Sequence, residues 1–284
     1  MSKIAIIGSG VVGKATGMGL LQMGNQVVFQ DIDSDRIDDL SRQGLNATSD
    51  LERTINQSDI SFVCVPTPYN NGIDLSYVKN VVKGIADVLK DKKEWHLVVI
   101  KSTVIPNTTE NELLPILLKE LNEFGLCMNP EFLTEISATW TDDSRFQRDF
   151  WAKDRIVIGE LDKKSGDALE ELYKPLGVPI LRTDLKTAEM TKYATNCMLA
   201  TKISYWNEIY LICERLGIDS QVVADITALD TRIGKYGTIH GKAFGGSCLP
   251  KDLDAFADSS PGAFLLSAVK AVNDYMSNEY GRRE

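Results

Sequence analysis

Histidine is scarce in this 284-residue chain, which has only His96 and His240. A zinc site built from several histidines is therefore not expected, and a Ser-His-Asp triad would have to use one of these two. Cysteine is sparse and unpaired in pattern. Cys64, Cys127, Cys197, Cys213 and Cys248 are odd in number, scattered and without a C-x-x-C spacing. They read as reduced thiols in a cytoplasmic setting, which makes the Asn-x-Ser/Thr triplets at Asn46, Asn56 and Asn107 chance matches. No run of about 18 apolar residues occurs, so no membrane span is readable. At the N-terminus four apolar residues, Ile4 to Ile7, give way at once to Gly8; this is a first strand rather than a signal peptide. Basic charge is also in deficit, with 31 Lys and Arg against 40 Asp and Glu and a net charge of −9. Such a chain does not draw nucleic acid or an anionic membrane through its overall field, and an anionic ligand must be held by a local pocket.

The chain does have the apolar content of a packed core, 43%, and the length of about two domains. Residues 1–160 alternate short β-branched runs with helical patterns. Strands are expected at 3–7, 26–30, 60–65, 97–100, 125–128 and 155–159, with amphipathic helices near 12–23, 34–43, 75–89 and 109–122. That alternation predicts an α/β fold, a doubly wound, mainly parallel Rossmann-type sheet. From Leu185 to Leu216 there is no Pro or Gly. At 1.5 Å per residue this predicts a rod of roughly 48 Å, a spine between domains or subunits. Shorter helices follow near 220–229, 252–258 and 262–280. The expected domains are 1–184, a dinucleotide-binding sheet, and 185–284, all-helical with the long helix at its centre.

The first strand runs straight into Gly8-Ser-Gly10-Val11-Val12-Gly13 and then a helix. In that setting Gly8 allows the turn, Gly10 admits a pyrophosphate close to the backbone, and Gly13 lets helix pack on strand. The helix start offers unpaired N–H groups and a positive dipole end. The second strand ends at Asp31, 18 residues past Gly13, where a carboxylate accepts from ribose hydroxyls and repels a 2′-phosphate. NAD is the cofactor expected.

Further motifs bear on the reaction. In Phe244-Gly245-Gly-Ser-Cys248-Leu-Pro-Lys251-Asp252 a thiol follows paired glycines, where loop N–H groups favour a thiolate; a buried structural cysteine is the alternative. In the long helix Glu189, Lys192, Asn196 and Asn207 share one narrow face. Lys192 and Asn196 could hold an oxyanion, or the face could simply be solvated. Met128-Asn-Pro-Glu131-Phe132-Leu133-Thr-Glu135, Lys101-Ser-Thr103 and Val65-Pro-Thr67-Pro all follow strand ends, the edge at which doubly wound sheets bind ligands, although any one alone could be an ordinary loop.

Taken together, GSGVVG, VCVPTP, KSTV, NPEFLTE, DRIVIG, EMTKYATN, TKISYWNE, TRIG and FGGSCLPKD resemble the UDP-glucose/GDP-mannose dehydrogenase family, in its order and across residues 1–255. The resemblance implies NAD-dependent four-electron oxidation of a nucleotide sugar, CH–OH to carboxylate, through a thioester on Cys248. By the same resemblance Lys192 and Asn196 stabilise oxyanions, Asp252 orders a water beside Lys192, Glu131 assists thioester formation and hydrolysis, and Thr103 places water and cofactor. NAD contacts implied beyond the glycine loop (Gly8, Gly10, Val11, Val12, Gly13) are Asp31, Arg36, Thr67, Thr103, Glu135 and Lys251. Sugar contacts implied are Glu131, Phe132, Leu133, Lys192, Asn196, Phe244, Gly245 and Arg232, the last reaching a neighbouring subunit. A homodimer across the 185–216 helix follows.

Two departures stand out. The chain ends where family members continue into a third domain that grips the nucleotide, so a natural short form, a cut boundary or a separate chain supplying that domain are all open. The stretch 140–151, rich in aromatics, is longer than usual and reads as a surface insertion anchored by Trp151 or as a lid. UDP-glucose is the favoured substrate, with GDP-mannose and UDP-N-acetyl-hexosamines behind it. Rival readings are a two-electron 3-hydroxyacid-type dehydrogenase, which needs no thiol, and a silent NAD-binding subunit.

Overall fold

The computed structural model describes residues 1–133, 140, 148–246 and 248–283. These divide into two compact units: residues 1–133 with 148–192, and Trp140 with the described residues from 193 onward.

The first unit is built on one eight-stranded sheet. Its strands are β1 (Lys3–Ile7), β2 (Gln26–Gln30), β3 (Ala47–Thr48), β4 (Ile60–Val63), β5 (Leu97–Ile100), β6 (Gly125–Met128), β7 (Ile156–Glu160) and β8 (Ile180–Thr183), arranged 3-2-1-4-5-6-7-8. All neighbours are parallel except β6 and β7. The order reverses at β1, which pairs with β2 on one side and β4 on the other. A crevice for ligands opens at such a reversal in doubly wound sheets.

Alternation along the strands separates two cores, one on each face of the sheet. Ala5, Ile7, Val98 and Ile100 face one way, together with Val78, Val82 and Ile85 of α4 (Ser76–Leu89). Ile4, Ile6, Val99 and Cys127 face the other, with Leu20 of α1 (Val11–Gln22), Leu40 of α2 (Ser34–Arg42) and Leu169 of α6 (Lys163–Tyr173). Helix α4 buries Val78, Val82, Ile85, Ala86 and Leu89, a stripe at helical spacing. Acidic caps start the helices: Asp33 accepts from two amides of α2, Asp162 from Ser165 N of α6, and Asp50 from Arg53 N of α3 (Leu51–Asn56). A π-helical turn at Thr109–Leu113 leads into α5 (Leu114–Glu120).

The long helix α7 (Leu185–Leu216) begins in this unit and continues through the second. The second unit adds α8 (Ser220–Thr227), β9 (Ala243–Phe244), α9 (Leu249–Ser259), α10 (Phe264–Tyr280) and β10 (Arg282–Arg283). It is helical except that β10 pairs with β9 in parallel. Cys197, Ala200, Ile203, Phe244, Leu253, Val269 and Trp140 form its core. Asn273 ties β9 to α10, accepting from Phe244 N (2.8 Å) and donating to Phe244 O (3.2 Å).

Candidate active site

The phosphate loop is held open by contacts that leave no room for side chains. Gly8 has φ +88°, and its amide donates to Gln30 O at 2.9 Å. A Cβ on Gly13 would lie 1.9 Å from Gly8 O, so the helix can start where it does only with glycine there. Gly17, which the sequence reading passed over, does the same against Phe29, whose ring would be 2.3 Å from an added Cβ. Gly10 differs: an added Cβ would meet nothing nearer than Arg36 Nη1 at 3.5 Å. The room over Gly10 and the absence of any side-chain cap at the start of α1 fit the phosphates of a dinucleotide.

Asp31 closes the next strand. It is 6% exposed; its Oδ2 accepts from Ser9 N (2.7 Å) and pairs with Arg36 (3.4 Å), and its Oδ1 accepts from Asp33 N (3.1 Å). Asp31, Arg36 and the glycine loop are thus brought together. So are Thr67 and Thr103, since the Thr67 hydroxyl donates to Thr103 O at 2.7 Å.

A buried ionic network sits past the ends of β5 and β6. Lys101 donates to Asn129 Oδ1 (2.9 Å) and pairs with Glu131 Oε2 (2.9 Å). Tyr173 donates to the same Asn129 oxygen at 2.8 Å. Glu131 Oε1 accepts from Lys153 (2.5 Å) and from Phe132 N (2.8 Å), while the Glu131 carbonyl accepts from Lys192 Nζ (2.5 Å). The Phe132 ring has Arg155 at 4.4 Å and Lys192 at 5.4 Å from its centre. Burial would raise the Glu131 carboxyl, but Lys101 and Lys153 outweigh it and hold the group down at about 2. Burial opposes the charge on Lys101, yet Glu131 keeps that lysine above its usual range. Burial pushes the Cys64 thiol up to about 12, which makes it an inert neighbour. Lys101 and Asn129 stand in the strand-end stretches read from the sequence, but without a role of their own there; Lys153 and Tyr173 were not singled out.

On α7, Glu189, Lys192, Asn196 and Asn207 are all buried, which removes the reading of a solvated polar face. Glu189 takes two backbone donors, Asn107 N (2.6 Å) and Thr109 N (2.7 Å), and so anchors the π-helical turn. Its carboxyl is raised by burial against those bonds.

The second unit holds another group of candidates. Asn196 donates to Asp252 Oδ2 at 2.6 Å, and Lys251 pairs with Asp252 Oδ1 at 2.7 Å. Asp252 is 1% exposed and stands in the first turn of α9, where a carboxylate complements the helix dipole. Cys248 is exposed at the N-cap of that helix, and its carbonyl accepts from Asp252 N at 2.9 Å. Other predicted residues lie elsewhere. Arg232 is on the surface paired with Asp230 (2.6 Å), and Phe244 is buried in the core with Gly245 after it. Leu133 is half-buried beside Phe132, and Glu135 falls outside the described residues. Among the described residues no helix is long and apolar enough to cross a membrane, and no cluster of three or more His, Cys, Asp or Glu could hold a metal.

Residues 40–177 match the NAD-binding domain of the UDP-glucose/GDP-mannose dehydrogenase family, and residues 186–275 match its central domain. A GDP-mannose 6-dehydrogenase of Pseudomonas aeruginosa is 36% identical over 282 residues, covering 89% of this chain and 63% of that protein. A UDP-glucose 6-dehydrogenase of Bacillus subtilis is 39% identical over 300 residues, covering 95% of this chain and 66% of that protein. Among solved structures, a UDP-glucose dehydrogenase from the hyperthermophilic archaeon Pyrobaculum islandicum matches with a TM-score of 0.90 at 33% identity, over 98% of this chain and 69% of that one. The chain therefore spans just under two thirds of the length of these curated relatives. Two domain matches in chain order, covering most of its residues, establish that this chain belongs to the UDP-glucose/GDP-mannose dehydrogenase family.

Proposed function

We propose that this chain carries the NAD-dependent oxidation of a nucleotide sugar, taking a CH–OH carbon to a carboxylate through a thioester on Cys248, with UDP-glucose as the first candidate substrate and GDP-mannose and UDP-N-acetyl-hexosamines next. The observation that carries it is an exposed thiol at the start of α9, one turn before a buried carboxylate, Asp252, that Asn196 and Lys251 hold in place. A two-electron dehydrogenase has no use for the thiol. A purely NAD-binding subunit has no use for any of these groups.

NAD, when bound, supplies the electron acceptor. Gly8, Gly10, Val11, Val12 and Gly13 would hold its pyrophosphate and Asp31 with Arg36 its adenosine ribose, while Thr67, Thr103 and Lys251 are further proposed contacts. Cys248 Sγ adds to the carbon of the aldehyde left by the first oxidation, and the carbonyl oxygen takes a proton. The resulting thiohemiacetal is again a carbinol, whose C–H can leave as a second hydride, with loss of the hydroxyl proton, to give the thioester. Water then hydrolyses the thioester and frees the thiol. Lys192 and Asn196 are proposed to steady the oxyanions. Asp252 is proposed to order the water and Glu131 to assist both thioester steps. Phe132, Leu133, Phe244, Gly245 and Arg232 remain proposed sugar contacts.

A cytoplasmic homodimer through α7 is part of the same proposal. Met198, Tyr205 and Ile212 are exposed at seven-residue intervals, which keeps them on nearly one face of the helix. A separate chain supplying nucleotide-binding residues is its other partner proposal.

The test counts NADH formed per sugar consumed with limiting UDP-glucose, GDP-mannose, UDP-N-acetylglucosamine and UDP-N-acetylmannosamine. Two NADH per sugar, lost in Cys248→Ser, is the expected result. One NADH per sugar, unaffected by Cys248→Ser, would replace this reading with a two-electron dehydrogenase. No NADH from any of them would favour a subunit that needs a second chain.

A further inference from the structure

Glu131 receives more positive charge than its single carboxylate can neutralise. Lys101 reaches it from the end of β5 and Lys153 from the segment that leads into β7, while Lys192 of α7 occupies its carbonyl. The two lysines on the carboxylate differ in origin. Lys101 is placed by the sheet: it follows Ile100, whose partner in the parallel register is Met128, so it lies beside Asn129 and is fixed there by that side chain. Lys153 is placed by no ladder. It comes from a loop, 8% exposed, and shares Oε1 with the Phe132 amide.

The neighbouring charges, which line the same cleft, have partners of their own. Arg148 and Arg155 both pair with Asp154, at 3.2 and 3.0 Å. Asp149 is engaged by the amides of Trp151 and Ala152, each at 2.7 Å. Lys153, Glu131 and Phe132 line a small cleft together with Lys101 and Asn129. A carboxylate with one oxygen hydrogen-bonded to Lys153 and the Phe132 amide and the other ion-paired with Lys101 is a fixed anion rather than a group free to rotate and collect protons.

We propose that Lys153 is a positioning residue: it holds the Glu131 carboxylate ionised and in one orientation against Lys101, so that Glu131 acts in the reaction as a fixed acceptor over the whole working pH range. The proposal rests on the reading of Glu131 given under Proposed function. Among the described residues, the titratable and charged groups around Glu131 are Lys101 after β5, Cys64 after β4, Tyr173 of α6, Lys192 of α7, Lys153, and the Arg148, Asp149, Asp154 and Arg155 that line the same cleft. Cys64 and Tyr173 are both pushed up to about 12, so neither changes charge below neutrality. Among the described residues, removing Lys153 therefore leaves Lys101 as the one cation paired with the carboxylate itself.

The test compares wild type, Lys153→Met and Lys153→Arg, each as the full chain with NAD. Two readouts are taken: the pH dependence of kcat/KM, and the carboxyl carbon-13 titration of Glu131, assigned by its loss in Glu131→Gln. Losing one close cation raises a carboxylate midpoint by about one to three pH units. Wild type should show no Glu131 step above pH 4. Lys153→Met should bring that step into the measurable range and add an acid limb to kcat/KM at the same pH, and Lys153→Arg should remove both. An unmoved carbon-13 midpoint in Lys153→Met overturns the clamp. A midpoint that moves without any change in the kcat/KM profile overturns its role in the reaction and leaves a structural ion pair. If wild type oxidises none of the sugars, the functional reading has failed, and the carbon-13 titration decides the clamp by itself.

Discussion

The first unit should lose stability in mild acid through one residue, His96, which is far from any proposed chemistry. His96 is 1% exposed, just ahead of β5, and its two ring nitrogens face Ser61 Oγ at 2.7 Å and Lys92 Nζ at 3.2 Å. The lysine is a donor only, so it fixes the tautomer: Nδ1 must accept, and the ring proton sits on Nε2 toward Ser61. Lys92 also donates to Ile55 O (3.1 Å) and to Ser58 O, which leaves it no freedom to retreat. Burial, and then the Lys92 cation, lower the imidazole from its usual 6.5 to about 3. Because the folded value lies below the unfolded one, the unfolded chain binds a proton that the native state refuses once the pH drops below about 6.5, and stability falls as pH falls. Integrating that uptake from pH 7 to pH 5 gives a loss of about 2 kcal/mol, and any folded value below about 4 gives the same figure. His96→Gln keeps a donor toward Ser61 and cannot titrate. Urea unfolding at 25 °C, at half-unit steps from pH 8 to pH 5, should show wild type and variant converging by about 2 kcal/mol over that interval, whatever their offset at pH 8. Parallel stability curves would show that His96 is protonated inside the fold or that Lys92 moves aside, and would refute the argument.

The glycine loop offers a pair of substitutions with different outcomes. Gly13→Ala, with a Cβ 1.9 Å from Gly8 O, should lower the melting temperature and weaken NADH binding at least tenfold, or about 1.4 kcal/mol. Gly10→Ala has space in the free protein and should weaken NADH binding while shifting the melting temperature by no more than a degree or two; equal effects of the two on stability would contradict the geometry. Asp31→Asn removes the charge that accepts from Ser9 N and pairs with Arg36, and should narrow the preference for NADH over NADPH in paired binding titrations. Glu131→Gln strips the counter-charge from buried Lys101 and should cost about 3–5 kcal/mol by urea unfolding near pH 7. Since the folded Glu131 carboxyl sits below its unfolded value, that difference should hold steady from pH 8 to pH 5 and shrink only as the pH falls toward about 2.

How much of this was legible beforehand depends on what each feature needs. The central strands were readable because four-residue apolar runs such as Leu97–Ile100 are buried on both faces, and a doubly covered parallel strand has that composition. Strands β3 and β8 were not. The first is two residues long, and Ile180–Thr183 is half-exposed and without alternation, so neither shows a pattern of its own. Each exists because a neighbour offers it a ladder. The helices at 51–56 and 163–173 were passed over for a related reason, since the first is short and the second is broken in pattern by Gly166, which in the fold sits against Glu160 and Arg182.

The same division runs through the site. The glycine loop and Asp31 are local: one strand, one turn and one helix determine them, and sequence spacing is enough. The Lys101–Glu131–Lys153 cluster draws on three segments, and its members become neighbours only through strand register. Ile100 opposite Met128 puts Lys101 beside Asn129. The reversal of β7 against β6, Met128 opposite Gly159, then brings the segment just before Ile156 back over the residues that follow Met128, so that Lys153 and Arg155 reach Glu131 and Phe132. That one antiparallel pairing is the step the alternating strand-helix pattern could not reveal, because the stretch from 129 to 155 carries no helix signal to mark a crossover or its absence. A parallel β7 would have carried Lys153 to the opposite edge of the sheet. The charge placed on Glu131, and with it the chemistry proposed for that residue, therefore turns on the direction of a single strand.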